Sequence, residues 1–228
     1  YSASLSILFF RHTLGQFHCE GGLDEITIIP ELLRVLALKG CIVTVDAIGC
    51  HKSVAEQVID RQGDYVLAVK ANQPKLLDHV RQIFDREERQ LHRDLSVDTF
   101  ETHDENHGRM ETRRYWTTDQ VDDFADWTAW KGLGLFGMVE AQRQVGDQVS
   151  VERRYYISSL DNDAQRFGEA VRSHWSIENS LHWVLDVVFR EDDSRVRTGH
   201  APENLALLRQ IAVSLLQQEK TAKVGVQT

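Results

Sequence analysis

Apolar and polar positions follow two periods along this chain, and each period predicts its own elements. Cys41-Ile-Val-Thr-Val-Asp46 and Tyr65-Val-Leu-Ala-Val-Lys70 are short, nearly continuous apolar runs, the pattern of strands buried on both faces. Between them, Lys52 to about Arg61 has helical spacing and stops at Gly63. Strand, helix, strand in this order predicts a βαβ unit in a parallel sheet. Residues 14 to 18 predict a further short strand. Pro30 predicts the opening of a helix through Leu32, Leu33 and Leu36, closed by Lys39 and Gly40. Pro74 opens another, to about Leu91.

From Asp94 to Ser159 the period changes to two. Alternating runs at Met110–Thr117, Leu135–Val145 and Val149–Ile157, separated by glycines, predict a β-rich insertion. Asp161, Asn162 and Asp163 are candidate caps for a long helix to about Phe189. A last amphipathic helix starts near Pro202, with Leu205, Leu208, Ala212 and Leu215 on one face. The expected organisation is therefore residues 1–93 as the first part of an α/β core, 94–159 as the insertion, and 160–228 as the helical remainder of the core.

Composition narrows the class. The chain has 228 residues, 42% of them hydrophobic and 27% charged, as in an ordinary globular protein. Its longest apolar stretch, near Leu5 to Phe10, is too short to span a bilayer, and no leader pattern is evident. Cys19, Cys41 and Cys50 have no C-x-x-C spacing and read as reduced thiols, which places the protein in the cytoplasm. The net charge of −9 argues against a uniformly basic nucleic-acid coat. Residues 94 to 126, however, hold ten acidic residues against three arginines, so the acidity is concentrated in the insertion.

Candidate chemistry sits at strand ends and on one helix. Asp46 ends a buried strand, where α/β sheets gather ligands; it would equally serve as a turn residue before Gly49. Phe167, Val171, His174, Glu178, Leu181, Leu185 and Val188 form one helical stripe. A carboxylate on such a core-facing stripe needs a metal, an arginine or a hydrogen-bond network. His174, Glu178 and His182 are spaced by four, which leaves open a helix-borne metal site, although the His-Glu-x-x-His pattern is absent. Lys70, Asn72 and Gln73 follow a strand directly and could contact phosphates or cap the turn before Pro74. Arg109, in His107-Gly-Arg-Met-Glu111, belongs to a hairpin turn or points at DNA. No phosphate-binding glycine loop and no G-x-S-x-G is found.

Five motifs occur in order: Val43-Thr-Val-Asp-Ala-Ile-Gly-Cys50, Gly63-Asp-Tyr-Val-Leu-Ala-Val-Lys-Ala-Asn-Gln73, His107-Gly-Arg-Met-Glu-Thr-Arg113, Arg154-Tyr-Tyr-Ile-Ser-Ser159 and His174-Trp-Ser-Ile-Glu-Asn-Ser-Leu-His-Trp-Val-Leu-Asp186. Together they resemble the DDE transposases of bacterial insertion sequences, in the subgroup that includes the H-repeat-associated proteins of Rhs elements. The resemblance covers residues 14 to 216. It implies an RNase H-like core, a mixed sheet flanked by helices, with a β-rich insertion before the helix that carries the last catalytic glutamate. It implies that Asp46 and Glu178 are catalytic and hold divalent ions, Mg²⁺ or Mn²⁺, in a two-metal site. It further implies DNA contacts at Lys70, Asn72, Gln73 and Arg109, supporting roles for His174, Asn179 and His182, insertion-sequence ends and target DNA as partners, a homodimer, and association with the nucleoid.

The departures shape the expectation. Relatives carry their first catalytic Asp in an upstream Asp-Gly-Lys motif, which is absent here. Asp24, in Gly-Gly-Leu-Asp-Glu, is not a substitute. Of the Tyr-Arg-Glu-Lys signature of related transposases, only the glutamate is kept, with Val171, His174 and Leu185 at the other positions. The chain begins at Tyr1, so the expectation is an N-terminally truncated transposase that lacks its first strand and is impaired in DNA cleavage. The alternatives are a catalytically inactive DNA- or partner-binding remnant, a His/Glu metal-dependent hydrolase, and a decaying reading frame.

Overall fold

A computed structural model describes residues 2–4, 7–8, 16–18, 25–90, 96–106, 109–177, 184–191 and 193–218. Its centre is a mixed sheet of seven strands. They are β2 (Ile7–Leu8), β4 (Ile42–Val45), β5 (Asp64–Val69), β6 (Val97–Asn106), β7 (Arg109–Thr118), β8 (Leu135–Val145) and β9 (Gln148–Ser158), in the order β2-β4-β5-β9-β8-β7-β6. A separate ribbon pairs β1 (Ser2–Ser4) with β3 (Gln16–His18), the latter within the strand expected at 14–18. β4 and β5 are parallel, with helix α2 (Lys52–Asp60) between them, as the βαβ pattern required. All other neighbours in the large sheet are antiparallel.

The β-rich segment does not stand apart from that sheet. Its four strands continue the sheet beyond β5, through β9. They are also longer than β4 and β5. Tyr155 lies opposite Val69 at the carboxyl end of β5, and β9 runs on for seven more residues to Gln148. At about 3.3 Å per residue, a β wing projects roughly 23 Å past the end of β5.

Helices cover both faces. Helices α1 (Glu25–Val35), α2 and α3 (Pro74–Gln90) pack on one side, over a core that includes Leu33, Val58, Val80, Tyr65, Leu67 and Ile157. Helix α4 (Ala164–Ile177) packs on the other, its Phe167 lying over Val66, Tyr115, Leu135 and Tyr156. Its start is fixed twice. Asp163 caps it by accepting the Arg166 N–H at 2.8 Å, and Asp98 of β6 accepts the Ala164 N–H at 2.8 Å. Phe167 and Val171, on the expected stripe, are buried. Gly137 of β8 makes room for the Phe167 ring, because a Cβ there would lie 2.6 Å from Cζ.

Two helices differ from the expectation. Pro30 does not open α1 but sits inside it. Buried Ile29 and Leu33, spaced i, i+4, extend the apolar stripe upstream, and this packing offsets the hydrogen bond that proline cannot donate. In α5 (Ala201–Gln218) Val213 is the buried residue among those whose side chains are described, while Leu208 and Leu215 of the expected apolar face are exposed. The long helix is described to Ile177, followed by a π-type turn at Val184–Val188; its middle lies outside the described residues. No helix among the described residues is long and apolar enough to cross a membrane.

Candidate active site

Period-two geometry puts Ile42, Thr44 and Asp46 on the same side of β4, the side that carries α4. Asp46 leaves the strand extended and starts a 3₁₀ turn, Ala47–Gly49. The segment after β5 holds this turn in place. Asn72 Nδ2 donates to the Ala47 carbonyl at 2.6 Å, and Gln73 Nε2 donates to the Cys50 carbonyl at 2.9 Å. Both amides are thus engaged in fixing backbone; their expected phosphate contacts would have to be made alongside that role. Lys70 Nζ reaches Asp46 Oδ1 at 3.1 Å. About half of each of these two side chains faces water, so the pair is worth at most about 1 kcal/mol.

Burial raises the pKa of Asp46, but the Ala47 N–H, Lys70 and His174 together outweigh it and hold the carboxyl below the usual aspartate range. Asp46 is therefore an ionised carboxylate that a ligand can reach. From above, α4 delivers His174, whose Nδ1 lies 3.1 Å from Thr44 Oγ1. Thr44, Asp46, Lys70, Tyr156, His174 and Trp175 contribute to a pocket of about 90 Å³. Burial pushes the Tyr156 hydroxyl up to about 12, so that wall stays neutral. Next to it, the Arg154 guanidinium stacks on the Trp175 ring at 3.9 Å and bonds Glu152 through Nε at 2.8 Å and Nη2 at 2.9 Å.

The structure thus brings Asp46, Lys70, Asn72, Gln73 and His174 together. Arg109 is not with them. It faces Val145, which pairs with Gln148 at the tip of the wing, and its guanidinium bonds Glu111 at 2.7 Å. Cross-strand register nevertheless puts Arg109, Arg113 and Arg143 on the α4 side of the wing, the side Asp46 faces. Glu178, Asn179 and His182 lie outside the described residues, as does His107. Thr44 and the Arg154–Trp175 stack were not singled out from the sequence. Thr44 was within reach of a period-two argument from Asp46; the stack needs the strand register, which no local pattern gives.

A divalent cation takes oxygen ligands, and an ionised, reachable Asp46 is one of the right kind. Among the described residues no three His, Cys, Asp or Glu side chains converge on one point, so Asp46 fits as one ligand and not as a whole site.

Residues 11–215 match the family model described as Transposase DDE domain. The chain is 42% identical over 217 residues to the putative transposase YncI of Escherichia coli O157:H7, an alignment covering 93% of this chain and 55% of that protein. It is 39% identical over 220 residues to the H repeat-associated putative transposase YhhI of Escherichia coli K12, covering 93% of this chain and 57% of that one. The chain therefore spans a little over half the length of the curated relatives it matches.

Proposed function

This chain belongs to the transposase DDE domain family, and from that premise we propose that Asp46 and Glu178 are two of the carboxylates with which it takes part in DNA cleavage and strand transfer. The observation that supports this most directly is the ionised Asp46 at the carboxyl end of a buried strand. A lysine stands beside it, and a helix leading toward Glu178 lies over the same face.

The chemistry is in-line displacement at phosphorus. A water or 3′-hydroxyl oxygen attacks, the opposite ester oxygen leaves, and negative charge builds on the phosphoryl oxygens. A bound Mg²⁺ or Mn²⁺ supplies polarisation of the phosphate and activation of the nucleophile. This chain's own residues do the rest. Lys70 turns from Asp46 to a phosphate oxygen. Asn72 and Gln73 keep the turn after Asp46 in place. Thr44 and His174 hold α4 in register over β4. Arg109, Arg113 and Arg143 on the wing meet the backbone of the flanking duplex, with Glu111 and Asp104 keeping the guanidinium forks of Arg109 and Arg113 oriented until DNA arrives. Two copies acting on paired DNA ends belong to the same proposal.

The polypeptide of these 228 residues, tested by itself, is expected to cut poorly, because its sequence supplies two of the family's three carboxylates. The test is nicking of supercoiled plasmid with Mn²⁺ or Mg²⁺, alongside gel-shift binding, for wild type, Asp46→Asn and Glu178→Ala. The proposal expects salt-dependent binding and weak nicking that either substitution abolishes. Nicking that survives Asp46→Asn overturns the assignment. Robust nicking that both carboxylate variants abolish overturns only the expected impairment. Binding with no nicking at all favours the catalytically inactive reading.

A further inference from the structure

Ile48 is an exposed apolar side chain that the mechanism above does not use, carried on the 3₁₀ turn that Asp46 starts. It is 51% exposed, two residues past Asp46, while Ala47 and Gly49 on either side are buried. An isolated exposed isoleucine is common on protein surfaces. This one differs in how rigidly it is held. Gly49 N–H bonds the Asp46 carbonyl at 2.9 Å, Cys50 N–H bonds that of Ala47 at 3.0 Å, and His51 N–H bonds that of Gly49 at 2.8 Å. Asn72 and Gln73 fasten the same turn from outside. Its inner side is filled, because a Cβ on Gly49 would lie 2.3 Å from Val45 Cγ1 and 2.8 Å from Ile29 Cδ1. The turn is therefore pinned by its own hydrogen bonds, by Asn72 and Gln73 and by the close packing of Gly49, and the β-branched Ile48 side chain is itself stiff about χ1.

Proteins that distort DNA do so with apolar side chains pushed between base steps, and a rigid mount lets such a wedge act without first being ordered. Resting on the reading of Asp46 as the cutting centre, we propose that Ile48 is a wedge that enters the base stack beside the phosphate presented to Asp46 and locally unwinds the duplex. The ligand class is duplex DNA, and the contact is with base faces, which every sequence offers.

Unwinding can be read on closed circular plasmid, whatever end sequence the protein prefers. Plasmid is relaxed by topoisomerase I with the protein bound in Ca²⁺, the protein is removed, and the linking-number shift is normalised to the bound protein measured by gel shift. Wild type and Ile48→Leu are expected to shift the topoisomers. Ile48→Ala and Ile48→Ser are expected to lose at least threefold of the shift per bound molecule, with urea melts showing that each is folded. Wild type that binds without unwinding, or Ile48→Ala that unwinds as wild type does, overturns the wedge and leaves the Asp46 assignment to the nicking test. Wild type that does not bind plasmid overturns both.

Discussion

Gly137→Ala tests how α4 is seated over the Asp46 side of the sheet. The added methyl would lie 2.6, 2.8 and 3.0 Å from three carbons of the Phe167 ring. Carbon atoms settle at about 3.5–4.0 Å, so the ring has to retreat by about 1 Å. Phe167 is fully buried and packs edge-on to Tyr156 at 5.5 Å and Tyr115 at 6.5 Å, which leaves it no open direction. Forcing a group into such a core costs about 1–3 kcal/mol. Alanine recovers about 0.5–1 kcal/mol of the backbone entropy that glycine loses in a strand. The net expectation is a loss of about 1–2 kcal/mol. With an m-value of about 2 kcal/mol/M, the urea midpoint falls by about 0.5–1 M. Phe167→Leu removes the clashing ring, so the double variant should be at least about 1 kcal/mol more stable than the sum of the single effects. A Gly137→Ala midpoint within error of wild type, or additivity within about 0.5 kcal/mol, refutes the packing argument.

Other expectations concern the site. Asn72→Ala and Gln73→Ala should each cost about 0.5–1.5 kcal/mol and speed amide exchange at Gly49, Cys50 and His51, because the first removes the side-chain donor that the Ala47 carbonyl has besides Cys50 N–H, and the second removes the side-chain donor to the Cys50 carbonyl. The Asp46 carboxyl should titrate below the ordinary aspartate range by ¹³C NMR, and Lys70→Met should move it up. A depressed native pKa means that the stabilisation is present above the unfolded value, near 3.8, and is lost as pH falls through the native one. An Asp46 that titrates at or above 3.8 in the wild type contradicts this. Cys41 and Cys50 are buried, and burial pushes the Cys50 thiol up to about 12. Peptide mapping after treatment with a thiol reagent at pH 8 should find both unmodified in native protein and modified in urea.

Much of the frame was legible because its signals were local. The apolar runs of β4 and β5, the helical spacing of α2 and the alternation in β7 to β9 each report burial of that segment alone. Where two signals competed, the sequence misled. At Pro30 the helix-start rule lost to an apolar stripe that began upstream. In α5 the apolar residues exceed what one buried face can hold, and packing of Val213 against Val184 and Leu185 decided which side turned in. The site divides in the same way. Asp46, Lys70 and His174 could be found from strand ends and a helical stripe. That Asn72 and Gln73 hold the turn after Asp46, and that Arg109 lies at the far end of a wing, depends on tertiary contacts and register, which residue spacing does not encode.

Asp46 is assigned above as a ligand for a divalent cation on the α4 side of the sheet. Titration of the protein with substoichiometric Mn²⁺, read as paramagnetic broadening of assigned backbone amides, tests that directly and without requiring catalysis. Broadening is expected to start at Asp46 and Ala47, to extend to Lys70 and to His174 on α4, and to disappear in Asp46→Asn. Broadening centred elsewhere, such as the Asp122–Asp123 loop, or broadening that persists in Asp46→Asn, would contradict it.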